Sequence, residues 1–230
     1  VGEDRLELLN RNVDIFKNTI PPLVEVAPEA VFVIVSNPVD VMSYISWKIS
    51  GLDASQIIGS GTLLDTARFR YILGERLSVD PRHIHAYILG EHGDSEVAAW
   101  SRANISGVPV ENAMPTAISA EEAKTIAQQV KDAAQEVIRR KGATCYAIGL
   151  GVTRLVQGIL QDQKRIMTIS CLLQGQYGIE DVYLSLPAVV GSRGIEHVLC
   201  PPLNEIEEQQ LKASAQVLRK AIAPLALDQS

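Results

Sequence analysis

Residues that most often carry special chemistry are scarce here: 230 residues hold four histidines, three cysteines and two tryptophans, and aromatics make up 5%. Cys145, Cys171 and Cys200 are odd in number and far apart. That argues against a disulfide framework or a cysteine-based zinc site, and their apolar surroundings predict reduced thiols packed in the core of a cytoplasmic protein. No apolar run reaches membrane-spanning length before Arg, Lys or Gln breaks it, and the charged opening VGEDRLELLNRN has no signal-like core, so neither a bilayer span nor a leader is expected. A basic excess is also missing. The net charge of −6 leaves no cationic face for nucleic acid, although local arginines still suit a small anion. His83-x-His85 with His92 lacks a clear further ligand in register, so no metal site is expected.

What is present suits a folded domain. At 47% hydrophobic the chain buries one sizeable core, or one core and part of a second. Leu6, Leu9, Val13 and Phe16 recur at helical spacing, and Pro21-Pro22 predicts the end of that helix or the start of a short new one. Ala30 to Val35 is an unbroken β-branched run, which predicts a strand buried on both faces of a parallel sheet. A helix from about Val39 to Lys48 and a short strand at SQIIG complete a βαβ unit. Beyond it, a helix begins near Asp65. HIHAYILGEHG alternates like a strand, with His85, Tyr87 and Leu89 on one face. Ser119 with Glu122 and Asn204 with Glu207 mark the capping boxes of two later helices; the second carries Ile206, Leu211, Leu218 and Ile222 on one face. RIMTISCLL and VYLSLPAVVG read as strands. GLGVTR at Gly149 follows no strand and lacks a third glycine, so it reads as close helix packing and not a nucleotide turn. The expected fold class is α/β, a partial Rossmann-type parallel sheet followed by an α+β domain. The expected boundary lies near Gly59 to Gly61, dividing 1–59 from 60–230.

GEHGDSE, Gly90 to Glu96, sets His92 among glycines and carboxylates. A histidine after a strand end is open to a ligand, or is simply a surface turn. Asp65 and Arg68, three residues apart, share one helix face, and Arg70 points to roughly the opposite side. A carboxylate accepting from Nδ1–H would fix the imidazole tautomer and ready Nε2 for proton transfer, and an arginine one turn away could grip a substrate carboxylate. The plainer alternative is an Asp65 helix cap with an intrahelical pair to Arg68.

SNPVD, GSGTLLDTARFR, GEHGDSE and KGAT, in this order and spacing, resemble the bacterial-type L-lactate dehydrogenases of the lactate/malate dehydrogenase family along essentially the whole chain. The resemblance implies hydride transfer between NADH and pyruvate to give L-lactate. It implies His92 as acid/base, Asp65 as its carboxylate partner and Arg5 as the loop arginine that polarises the carbonyl. Arg68, Asn37 and Thr144 match substrate-binding positions; Val35, Ser36, Asn37, Ser60 and Asn18 match cofactor-contacting ones. Arg70 and His85 match the pair that binds fructose 1,6-bisphosphate in allosteric members, against the plainer reading of a surface arginine and a strand histidine. A homotetramer is implied as well.

The family pattern begins with a strand, a glycine-rich turn and a helix, for which this sequence has no counterpart. The chain is therefore expected to be the C-terminal two thirds of such an enzyme, starting just beyond the loop that selects the substrate. GEHGDS favours lactate over malate enzymes, with malate, hydroxyisocaproate or a non-catalytic fragment as alternatives.

Overall fold

The computed structural model describes residues 5–113 and 118–225. The first segment contains α1 (Arg5–Val26), β1 (Phe32–Ile34), α2 (Val39–Ser50) and β2 (Ile57–Gly59). α3 (Leu63–Leu77) follows, then the short strands β3 (Ile84–His85), β4 (Ile88–Leu89), β5 (Val97–Ala98), β6 (Asn104–Ile105) and β7 (Val108–Pro109). The remainder is α4 (Val110–Ala113), α5 (Ala120–Lys141), α6 (Tyr146–Leu160), β8 (Arg165–Gln174), β9 (Glu180–Gly191), β10 (Gly194–Val198) and α7 (Glu205–Ile222).

One five-stranded sheet, ordered β1-β2-β8-β9-β10, runs through both halves of the chain. β1 and β2 are parallel and flank α2, as the βαβ pattern predicts. β2 then meets β8 antiparallel at a single register pair, Gly59 with Ser170. A side chain at Gly59 would lie 2.7 Å from the Ser170 Cβ, so glycine is what lets this seam close. Next along the chain, Gly61 has φ +49, and an added Cβ would lie 2.5 Å from the Ser170 amide nitrogen. The sheet is thus mixed, and the long β8–β9 hairpin supplies most of its pairing.

The larger apolar core lies between α2, β8, β9 and α7, with Met42, Ile45, Tyr183 and Leu211 fully buried. A second core beneath α3 joins Phe69 and Leu73 to Ile84, Ile88 and Val130. α6 covers the opposite sheet face through Leu155 and Ile159. Gly151 on α6 is where that helix meets α3: an added Cβ would press on Leu63 and Leu64 at 3.3 and 3.2 Å, the close packing expected of GLGVTR.

Several local expectations are corrected. Pro21 and Pro22 lie inside α1 and do not end it, because a proline removes only its own bond to the preceding turn and the flanking Lys17 and Asn18 carbonyls sit at exposed positions. β1 is half-buried and not covered on both faces: it ends the sheet, and Val35 just beyond it is 37% exposed. His85, Tyr87 and Leu89 do not share an environment, since the run breaks into β3 and β4 and Leu89 turns into the core. Only Cys171 is a core thiol; Cys145 and Cys200 are exposed, in connections between elements. Ser119 does cap α5, but Glu122 turns away to pair with Arg76 and leaves the box half-formed. Asn204 and Glu207 form the full box on α7, where Ile206 faces solvent. Among the described residues no helix is long and apolar enough to cross a membrane.

Candidate active site

The start of α3 is fixed by hydroxyls. Thr62 is its N-cap residue, so Asp65 stands in the first turn and is not the cap. The Thr62 amide donates to Ser185 Oγ at 3.0 Å and its hydroxyl to the Ile88 carbonyl at 2.5 Å, while the Ile88 amide donates to Thr66 Oγ1 at 3.0 Å. These bonds tie the helix start to β4, and the chain leaving β4 carries His92.

Gly90 pairs with Ser185 on β9 in both directions, and its φ of +88 turns the chain where an added Cβ would press on Ser214. The Glu91 amide donates to Ser214 Oγ at 2.8 Å. These contacts deliver His92 over Asp65, where Nδ1 lies 2.6 Å from Oδ2, and the other Asp65 oxygen accepts from Arg68 Nη1 at 3.0 Å. One buried carboxylate thus holds a histidine and an arginine that both remain partly open, with side chains 28% and 21% exposed. Burial lowers the imidazole pKa, but the hydrogen bond and charge of Asp65, assisted by Asp40 and Glu96, outweigh it and leave the ring above its ordinary value.

Two further carboxyls stand here that the sequence reading did not single out. Asp40, in the first turn of α2, accepts from the His92 amide at 2.8 Å and from Ser170 Oγ at 2.6 Å. Burial pushes it up to about 6 against both bonds. Glu96 is buried, its Oε1 is without a hydrogen-bond partner, and burial with the nearby Asp65 charge pushes it up to about 8. It lines a cleft of about 430 Å³ between α5 and α7, shared with Trp100, Lys131, Gln210 and Val217. The sequence signal for both was weak: Asp40 looks like an ordinary first-turn acid, and Glu96 like one of three exposed acids.

The other expected residues are spread more widely. Val35, Ser36 and Asn37 form an exposed turn at the carboxyl end of β1, where open parallel sheets bind ligands. The Ser60 amide donates to the Ile34 carbonyl at 2.8 Å, which sets Ser60 beside this turn, and the Asn37 carbonyl accepts from Asn12 Nδ2 at 3.0 Å. Asn18 is exposed on α1 and donates to Asp14. Thr144 is exposed between α5 and α6. Arg5 opens α1, and its side chain lies outside the described residues. Arg70 takes a different partner from Arg68: its Nε donates to the Ala86 carbonyl at 2.9 Å and its guanidinium lies 5.3 Å from the centre of the Tyr87 ring, while His85, the residue before Ala86, is exposed. Burial lowers the Arg70 pKa. Among the described residues no group of three or more potential ligands could hold a metal ion.

Residues 1–59 match the NAD binding domain of lactate/malate dehydrogenase, and residues 62–227 match the alpha/beta C-terminal domain of the same family. An L-lactate dehydrogenase of Synechococcus sp. is 57% identical over 221 residues, covering 96% of this chain and 72% of that protein. One from Acetivibrio thermocellus is 48% identical, covering 97% of this chain and 72% of the relative. Among solved structures, MGS-M5, a lactate dehydrogenase from a Medee basin deep-sea metagenome library, superposes with a TM-score of 0.92 at 45% identity, covering 96% of this chain and 72% of that one. With family matches over both segments and relatives this similar, the chain belongs to the lactate/malate dehydrogenase family of NAD-dependent oxidoreductases.

Proposed function

We propose that the chain interconverts pyruvate and L-lactate with NAD, with His92 as acid/base. The observation that carries this reading is the sharing of Asp65 by His92 and Arg68, which puts a proton-transfer group and a carboxylate-binding group side by side. Asp65 accepts from Nδ1–H, so the proton that moves is the one on Nε2. In pyruvate reduction the protonated ring delivers that proton to the forming alkoxide; in lactate oxidation the neutral ring removes it. Arg68 grips the substrate carboxylate through a planar pair of donors, and its bond to Asp65 limits the rotamers it must lose on binding. Arg5 adds positive charge at the carbonyl oxygen, Asn37 orients that oxygen and Thr144 walls the pocket.

The residues present fit the nicotinamide end of the cofactor: Val35 offers an exposed apolar face, and Ser36, Asn37 and Ser60 offer polar groups at adjoining strand ends. Asn18 stands as a further contact. When bound, the reduced nicotinamide supplies the hydride.

Arg70 and His85 form the effector site for fructose 1,6-bisphosphate, in a homotetramer. Arg70 is held at the Ala86 carbonyl, one residue past His85, so the chain that carries His85 also anchors the arginine fork that would take a phosphate.

NADH oxidation by the chain with pyruvate, and separately with oxaloacetate, each with and without fructose 1,6-bisphosphate, tests the reading. The expected result is pyruvate-selective turnover that rises with the bisphosphate. Preference for oxaloacetate would make the substrate dicarboxylic, and turnover that survives His92→Gln undiminished would overturn the acid/base role.

A further inference from the structure

His92 is gripped at two points, and only one of them is its ring. Asp65 holds Nδ1 from α3, while Asp40 holds the backbone amide from α2. The second contact matters because the chain around His92 has little stiffness of its own: Gly90 has φ +88 and Gly93 follows directly. Asp40 is 2% exposed and both of its oxygens accept, one from the His92 N–H and one from the Ser170 hydroxyl on β8. A carboxyl taken wholly out of water is an expensive way to tie three elements together when a neutral side chain could accept the same bonds. Its place in the chain gives the reason. Asp40 stands three residues after Asn37, in the first turn of the helix that leaves the Ser36–Asn37 turn.

We propose that Asp40 is a positioning residue for His92: its carboxylate locks the histidine backbone to the start of α2, so that the turn proposed to meet the nicotinamide and the ring proposed to move the proton are set as one piece. The inference rests on the acid/base reading of His92. Charge follows from the same geometry, since a carboxylate against the histidine backbone favours the protonated ring. The other charged groups acting on the ring are Asp65 from α3 and Glu96 from its own loop; Arg68 of α3 binds Asp65 and, with Lys131 of α5, acts on Glu96, while Glu91 acts on Asp40. Cys171 on β8 also faces Asp40, but burial pushes its thiol up to about 12 and keeps it neutral.

The test compares Asp40→Asn and Asp40→Ala with the parent chain. The His92 titration is followed by NMR on histidine-labelled protein and assigned with His92→Gln, and pyruvate reduction is measured alongside. Asn keeps an acceptor for the His92 amide but not the charge, so the ring is expected to titrate at lower pH while most turnover is retained. Ala removes the acceptor as well: kcat is expected to fall on the order of 10²-fold, with KM for pyruvate changing less because Arg68 is untouched. A folded Asp40→Ala chain with the parent's kcat and His92 titration would show that Asp40 only fastens the core. Should that variant fail to fold, hydrogen exchange at the His92 amide of the parent decides instead, and an amide that exchanges as fast as an unbonded one overturns the proposal. If the parent does not turn over pyruvate while its His92 amide is protected from exchange and loses that protection in Asp40→Ala, the hold on His92 stands and the dehydrogenase reading fails.

Discussion

Nδ1 of His92 and Oδ2 of Asp65 stand 2.6 Å apart, at the short end for a charge-assisted hydrogen bond between nitrogen and oxygen, and Asp65 is almost wholly buried. The bond does two separable things: it orients the ring and it raises the affinity of the ring for a proton.

Asp65→Asn separates them. Because the folded-state imidazole pKa is raised, the protonated form needed for pyruvate reduction persists to higher pH and is lost as pH rises through that value. Without the charge, the alkaline limb of the kcat/KM profile for pyruvate is expected to move to lower pH, and kcat to fall on the order of 10²-fold. An unmoved limb would mean that another group sets it.

Arg68→Lys keeps the charge but loses the planar fork toward both Asp65 and a substrate carboxylate. Hydrogen bonds to charged groups contribute about 1.5–3 kcal/mol, so kcat/KM for pyruvate is expected to fall by roughly 10–100-fold, mainly through KM. Steady-state kinetics over a wide pyruvate range decides it.

Glu96 makes stability fall with rising pH. A carboxyl whose folded pKa lies above its unfolded one binds its proton more tightly when folded; stability is therefore lost as pH climbs from 4.5 toward about 8. Glu96→Gln is expected to gain melting temperature relative to the parent near pH 9 and little near pH 5, which thermal unfolding at the two values reads directly.

Arg70 is braced by the Ala86 carbonyl and Tyr87, on the stretch of chain that carries His85. Arg70→Gln is expected to bring the stimulation ratio by fructose 1,6-bisphosphate to about 1, read from rates at fixed pyruvate with and without the effector; His85→Gln is expected to weaken it. Undiminished stimulation in both variants would place the effector elsewhere.

The βαβ unit and the Asp65–Arg68 face were legible because each rests on local periodicity: a β-branched run, a helix and a second run, then residues three apart on one turn. His92 and Asp65 are 27 residues apart, and their meeting depends on Thr62, Thr66 and Ser185, whose hydroxyl bonds carry no sequence pattern. That pair was still expected from the family motifs, whereas Asp40 stayed hidden, since nothing near residue 40 announces a partner at residue 170. The exposure of β1 and the continuation of α1 through two prolines are tertiary outcomes, and local propensity reads them the other way.

Gly59 and Ser170, the one register pair between β2 and β8, lie more than a hundred residues apart in the chain. During synthesis the βαβ unit therefore leaves the ribosome long before the strand that completes its sheet, and the edge of β2 stays open to any other strand in the meantime. Closing so long a loop is costly and slow relative to forming the local β8–β9 hairpin, which makes the seam a late folding event and its open edge a point at which newly made chains are exposed to mispairing.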